Sequence, residues 1–335
     1  MPRLEFKDLS FEDMDSRVKV NFLRLFYFYL DKSDLRKIAD FKIAGNSISF
    51  DGISEERAGR KFNRLLLKGF NDLKSRLTNK RAVYVHQNSG IPLMGNLYFG
   101  IIDRNTNIIE IRPITGCNLA CIYCSVDQAK RQVDFVVEKD YIIDEFRRLV
   151  EFKEDEDIEA HIGAQGEPLL YADLVDLVQD LSKIKQVRKI SIDTNAVLLT
   201  KKKVDELVKA GLTQFNISVN ALNQELANKI AGVPYNLRKV IEICEYVAGK
   251  ADLVIAPILL QGINDDEMPK FIKFVRDLQN KNHKVVLGIQ NFLEYRFGKR
   301  PVKQMGWDLF RQKLRALEKK HSMKLILDFK KDFNV

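Results

Sequence analysis

From about residue 107 onward, the apolar positions alternate between short β-rich runs and longer stretches with helical spacing. The short runs predict strands at 107–114, 157–163, 188–195, 214–221, 252–260 and 284–293. The stretches between them, such as "EKDYIIDEFRRLVEF", "YADLVDLVQDLSKI" and "DDEMPKFIKFVRDLQNK", read as amphipathic helices, and "GWDLFRQKLRALEKKHS" completes the sixth unit. "MKLILDF" reads as one more strand. Six βα units in series predict a parallel sheet, either a partial barrel or an open doubly wound sheet. Both place their chemistry at the C-terminal ends of the strands.

Residues 1–95 follow a different pattern. "DSRVKVNFLRLFYFYL" reads as a helix with an aromatic face, because Phe22, Phe26 and Tyr29 recur at helical spacing. "FKIAGNSISFDG" alternates like a strand and ends in a turn. "SEERAGRKFNRLLLKGFNDLKSRL" reads as a basic amphipathic helix opened by a capping Ser54, and "AVYVHQNSGIPLMGNLYFG" as strand and loop. The expected architecture is an α/β chain in two parts. Residues 1–100 form an N-terminal α+β accessory, substrate-binding domain, and residues 101–335 form the barrel with a basic C-terminal extension.

Composition narrows the class. The 335 residues are 45% hydrophobic and 30% charged, the profile of a soluble globular protein with a sizeable core. No apolar run reaches the roughly 18 residues of a membrane span, so no membrane is expected. The acidic N-terminus lacks the apolar stretch of a signal peptide. A cytoplasmic protein without disulfides is the expectation, and clustered cysteines there bind metal or react. The net charge of +9 is uneven: residues 1–100 carry 18 Lys+Arg against 12 Asp+Glu, and residues 281–335 carry 14 against 5. The middle is left with 23 against 29, so basic flanks enclose an acidic centre. This marks either a phosphate-bearing partner or simply solvated Lys-rich helices.

Three of the four cysteines stand in "ITGCNLACIYCSVDQ", as Cys117, Cys121 and Cys124, directly after the first predicted strand. Cys244 lies on the apolar face of a distant predicted helix and reads as a core residue. Zinc usually takes four protein ligands in paired knuckles, and no second pair exists here. A four-iron cluster wants four thiolates, so three leave one iron open for a chelating ligand. The C-x3-C-x2-C stretch, with Tyr123 in the aromatic position, resembles the signature of the radical S-adenosylmethionine (SAM) superfamily.

That resemblance implies a partial (βα)6 TIM-like barrel holding a [4Fe-4S] cluster on the three cysteines. It implies that the open iron chelates SAM, that the reduced cluster cleaves it to a 5′-deoxyadenosyl radical, and that the radical takes hydrogen from a substrate. It also implies a low-potential electron donor of ferredoxin or flavodoxin type. The second strand ends "HIGAQGEPLLY", where Gln165, Gly166 and Glu167, followed by Pro168, resemble the superfamily's Gly-Gly-Glu stretch for the SAM amino group. Gln165 replaces the first glycine. Ser191, Asp193 and Asn195 share a face of the third strand, where relatives carry polar residues for the ribose or the carboxylate. Ser218 and Asn220 on the fourth strand are further SAM contacts by the same resemblance. "VIAPILLQGINDDEM" resembles a stretch whose backbone edge meets adenine, which makes Ala256 and Pro257 candidates beside Tyr123. Asn264 and Glu267 read as a capping-box pair opening the next helix.

The substrate is less legible. The lack of a second cysteine group argues against an auxiliary cluster. "GIQNFLEYRFGKRPVKQMGW" mixes aromatics with cations past the sixth strand; Arg296, Lys299 and Arg300 are candidate substrate-binding residues, or members of an ordinary surface loop. The predicted N-terminal helix and its sequel add Arg60, Lys61, Arg64, Lys68, Lys74 and Arg76. The first expectation is RNA modification, of tRNA in particular. The second is a peptide or protein substrate, and the third a small metabolite or lipid. His161 shares the face of Gly163 and reads as a hydrogen-bonded core histidine facing the lumen, while His86 is only a candidate for a position over the active site, which the sequence does not fix.

Overall fold

The computed structural model describes residues 1–163, 165–279 and 282–326. Its larger sheet has seven strands in the spatial order Val285–Leu287, Asp252–Ile255, Gln214–Ile217, Val187–Thr194, Ile158–Ile162, Ile108–Arg112 and Gly100–Asp103. The first six pair in parallel, and Gly100–Asp103 closes the edge antiparallel to Ile108–Arg112. Each parallel strand neighbours the next in sequence, with no reversal of order. That is the succession of a barrel wall, not of a doubly wound sheet with a switch point. A short parallel pair, Ile258–Leu259 with Gln290–Asn291, continues the last two strands toward the mouth.

Outer helices cover this half-barrel: Lys139–Lys153, Leu174–Ser182, Lys201–Ala210, Leu237–Ala248, Met268–Leu278 and Trp307–His321. Their apolar stripes meet strands that are buried on their outward face, such as Ile109, Ile111, Ile190, Ile192, Phe215 and Ile217. Cys244 is fully buried in this layer. Each of the six predicted strands contains an observed strand, with 214–221 shortened to Gln214–Ile217 and 252–260 and 284–293 each broken in two, and the quoted barrel helices form within their described residues, 280 and 281 lying outside these. Of "MKLILDF", residues 323–326 are not strand, and the rest lies outside the described residues.

The N-terminal region differs from expectation at several points. The "aromatic helix" is a β-hairpin, Arg17–Phe22 against Phe26–Asp31. Val18, Val20, Phe22, Phe26, Phe28 and Leu30 are all buried, a period of two on each side of a turn in which Leu23 and Arg24 take positive φ. Alternation decides because β-branched and aromatic side chains fit a pleated, half-buried surface. Phe41–Ala44 and Ser47–Phe50 form a second hairpin around Gly45, and Glu55–Phe70 is the expected basic helix. Ser54 precedes that helix without a side-chain capping bond.

A second, six-stranded sheet has the order Val133–Val137, Arg81–Val85, Lys74–Ser75, Phe26–Asp31, Arg17–Phe22 and Leu9–Asp13. Its strand Val133–Val137 comes from just after the cysteines and pairs in parallel with Arg81–Val85. The chain therefore leaves the barrel after the cysteine loop, adds a strand to the N-terminal sheet, and only then enters the first barrel helix.

Candidate active site

The cysteine loop is fixed from several sides. Ala120 N and Ile122 N donate to Ala231 O and Ile230 O, both at 3.0 Å. Gly232, at φ +71°, ends the helix Gln224–Ala231 so close to the loop that a Cβ there would lie 2.4 Å from Ala120 O. Lys299 Nζ donates to Ala120 O at 2.8 Å, and its backbone N–H donates to Cys124 O at 2.9 Å. Asn195 Nδ2 donates to Asn118 Oδ1 at 2.9 Å, tying the loop to the third strand's tip.

The turn after Ile158–Ile162 packs onto the same loop. Glu167 N donates to Gly116 O at 2.7 Å, and a Cβ on Gly166 would meet that carbonyl at 2.1 Å. Only glycine allows this approach. Arg131 locks the arrangement: it is paired with buried Asp134 at 2.6 Å, donates to Gln165 O at 3.0 Å and reaches Thr115 O. Neither Arg131 nor Asp134 carried a sequence signal, because Arg131's other partners are the backbone carbonyls of Gln165 and Thr115 and Asp134's is the Thr78 hydroxyl, all brought together by the extra strand at Val133–Val137.

Cys117, Cys121 and Cys124 open on one cavity of about 380 Å³ at the C-terminal ends of the strands. Of the sequence candidates, Tyr123, Gly166, Glu167, Asp193, Asn195 and Ser218 line it too. Tyr123 Oη accepts from Asn220 Nδ2 at 2.8 Å, so Asn220 stands behind the lining. Ser191 sits deeper and is fully buried. Gln165 contributes its carbonyl to Gln128 and Arg131, and Ala256 and Pro257 are buried beside the lining residue Ile258. Arg296 borders a neighbouring cavity, Lys299 points into the cysteine loop, and Arg300 is exposed. His86 stacks on Tyr84 in the N-terminal region, with ring centroids 5.6 Å apart.

Asn264 and Glu267 do not form a capping box. Asn264 Nδ2 donates to Asn220 O and Ile258 O, both at 2.9 Å, and its Oδ1 accepts from Leu260 N at 2.7 Å. Glu267 accepts from Leu222 N at 2.5 Å. Both side chains satisfy backbone groups of the loops after the fourth and fifth strands, a stronger demand at buried positions than an accessible helix end makes.

A charged ladder runs down the inner face of the first three strands. Asp193 Oδ2 lies 3.1 Å from His161 Nε2, His161 Nδ1 lies 2.8 Å from Ser191 Oγ, and Ser191 donates to Glu159 Oε1 at 2.6 Å. Lys189 pairs with Glu159 at 3.0 Å, and Arg112 pairs with Glu110 at 2.7 Å beside the cavity. Burial opposes the charge on His161, but Asp193, Glu110 and Glu159 outweigh it and raise its pKa to about 9. Alternation put His161 on the lumen face; Glu110 and Arg112 were missed because nothing in "NIIEIRPI" separates a lumen charge pair from surface residues.

The residues fit the superfamily's cofactors. Burial pushes the Cys117 and Cys121 thiols up to about 12 and about 11, so their thiolates need a cationic partner, which a metal cluster provides. Among the described residues no three His, Cys, Asp or Glu side chains converge on a point as ligands of a single ion do. Sulfurs spaced around a cavity suit a cluster whose irons each take one thiolate. Burial raises Glu167 to about 7 despite hydrogen bonds from Asn195 N, Thr194 Oγ1 and Leu169 N, and an ammonium group beside it relieves that cost.

A half-barrel whose strand tips gather three thiols and a glycine–glutamate turn around one cavity defines an enzyme built about a thiol-held cofactor. Residues 111–275 match the Radical SAM superfamily model, and the chain belongs to that superfamily, whose cofactors are a [4Fe-4S] cluster and SAM. It is 41% identical over 257 residues to the Methanocaldococcus jannaschii protein named "Uncharacterized protein MJ0103", covering 71% of this chain and 59% of that one. It is 34% identical over 178 residues to the GTP 3′,8-cyclase of Listeria welshimeri, 52% of each chain. The chain thus spans between half and three-fifths of the length of these relatives. The crystal structure of Streptococcus suis SuiB shares the fold over 96% of this chain and 70% of its own, with a TM-score of 0.51 and 15% identity. No helix among the described residues is long and apolar enough to cross a membrane.

Proposed function

We propose that the protein reductively cleaves SAM and uses it to abstract hydrogen from an RNA substrate, tRNA in particular. The observation that carries the first part is the single cavity shared by the three thiols, Gly166, Glu167 and the polar strand tips. When bound, the cluster and SAM supply the one-electron chemistry. Cys117, Cys121 and Cys124 hold the cluster, and Lys299 and the Ile230–Gly232 segment hold the loop that carries them. Glu167 receives the ammonium group of SAM. Asp193, Asn195 and Ser218 supply polar groups along the remaining wall, with Tyr123 steadied by Asn220.

Charge supports the RNA reading. Arg57, Arg60, Arg64 and Lys68 project from the Glu55–Phe70 helix on the side away from its buried face, and Lys74 and Arg76 follow just beyond it. Basic flanks guide a polyanion toward the mouth. The GTP 3′,8-cyclase relatives are named for a nucleotide substrate, the same chemical class. An electron donor of ferredoxin or flavodoxin type is part of the proposal.

The test uses protein purified without oxygen, reduced with dithionite and given SAM with and without bulk tRNA. 5′-Deoxyadenosine formed without tRNA establishes the cofactor chemistry. A marked rise with tRNA that ribonuclease abolishes establishes the substrate class. Cleavage indifferent to tRNA overturns the RNA reading and turns attention to a peptide substrate.

A further inference from the structure

The thiol cavity has a neighbour. A second cavity of about 440 Å³ lies against the back of the cysteine loop. Two short backbone segments, 124–127 and 295–298, form the wall between them. They are held together by Lys299 N donating to Cys124 O and Asp127 N donating to Phe297 O, both at 2.9 Å. Cys124, Ser125 and Tyr295 face the thiol cavity. Val126, Asp127, Arg296 and Phe297 face the second. The two spaces therefore share those two paired segments as a common wall.

The second cavity combines two kinds of group. Phe297 is 61% exposed and Tyr98 38% exposed, so both present ring surface to the space. Arg296 stands 5.2 Å from the Phe297 ring, and Lys130 also lines the space with 86% of its side chain exposed. Arg131 lines the cavity too, but its guanidinium is committed to Asp134 and to Gln165 O. Asp127 is the lining carboxylate, and it already caps Ala129 N at 3.1 Å while lying 3.5 Å from Lys130. Exposed rings next to cations suit a ligand with a π face and a phosphate. The volume lies within the range of small-molecule sites.

We propose that this cavity is a nucleotide subsite: a base stacks on Phe297 and Tyr98, and its phosphate meets Arg296 and Lys130. The nucleotide it takes flanks the one presented to the thiol cavity across the shared wall. The proposal rests on the RNA reading above and names the part of the protein that grips the strand.

The test measures binding of fluorescently labelled bulk tRNA to the cluster-loaded protein, by anisotropy at several salt concentrations. Phe297→Ala is expected to weaken binding by about 5- to 150-fold, the range for removing one stacked base. Phe297→Trp is expected to bind within about twofold of the natural protein, since it keeps a π face. Arg296→Ala is expected to weaken binding and to lower the salt slope by about one. If the natural protein binds tRNA and all three variants match it in affinity and slope, the subsite is overturned while the RNA reading stands. Equal losses in Phe297→Ala and Phe297→Trp also overturn it, because the ring face would then not matter. If the natural protein does not bind tRNA at all, both fall.

Discussion

Glu167 joins its own turn to the tip of the third strand through one carboxylate, and reaches the cysteine loop through its backbone N–H to Gly116 O. Thr194 Oγ1 and Leu169 N donate to one oxygen at 2.6 and 3.1 Å, and Asn195 N donates to the other at 2.9 Å. Burial nevertheless raises its pKa to about 7, so near neutrality the protonated and ionised forms are both populated. Only the ionised form attracts an ammonium group. SAM affinity is therefore expected to rise roughly tenfold between pH 6 and pH 8, in step with the ionised fraction. Titration calorimetry of the cluster-loaded protein should show that rise, and Glu167→Gln should flatten it. The His161–Asp193 pair gives a second residue-level expectation. Burial acts against both charges, yet each group's charge favours the other's, raising His161 to about 9 and lowering Asp193. The His161 contribution is fully present below its ordinary value of about 6.5 and is lost as pH rises through about 9. The Asp193 contribution is present above the ordinary carboxylate value and is lost as pH falls through its lowered one. Unfolding free energy, read from denaturant titrations, should then decline from pH 7 to pH 10 more steeply in the natural protein than in His161→Gln, by an amount on the order of 1–3 kcal/mol.

At the scale of elements, glycines at two close approaches fit the cysteine loop to its supports. An alanine at Gly232 would adopt φ +71° and place Cβ 2.4 Å from Ala120 O. Gly262→Ala is a useful control, with φ +79° and nothing within 4 Å. Both substitutions should lower the melting temperature through backbone strain of about 1–2 kcal/mol. Only Gly232→Ala should also lower iron per chain after reconstitution, because only it displaces the loop; equal iron in the two variants would count against that role. The barrel elements were legible in the sequence because each strand and helix keeps its own period for a full element length. The hairpin at residues 17–31 was not, since Phe22, Phe26 and Tyr29 fit a helical spacing while Val18, Val20 and Phe28 fit an alternating one. Tertiary burial of both hairpin strands decided between them. That the three cysteines, Gly166 and Glu167 meet at one cavity was legible from their local motifs, each placed at the end of a predicted strand. Arg131 acts through carbonyls that only the fold brings near, and Glu110 and Arg112 pair with each other on a strand face that only the fold turns toward the cavity.

For the whole molecule, charge distribution and architecture point the same way. The barrel segment is acidic on balance, yet the Glu55–Phe70 helix carries a basic outer face and the chain from 281 onward is strongly basic. Such a field attracts a polyanion over distances limited by a Debye length of about 8–10 Å at physiological salt. It should affect capture of RNA without touching cofactor chemistry, because no residue of that helix lines the thiol cavity. Replacing Arg57, Arg60, Arg64 and Lys68 by glutamate separates the two. These positions leave the helix's buried face, Ala58, Phe62 and Leu66, unchanged, so the variant should fold. SAM cleavage without tRNA should match the natural protein. Affinity for bulk tRNA should fall, and the slope of log affinity against log salt should shrink by up to about 0.9 for each phosphate no longer neutralised. A variant that keeps the full slope would place the RNA elsewhere on the surface. One that loses cleavage without tRNA would show that the helix supports the barrel's cofactor site instead of steering its substrate.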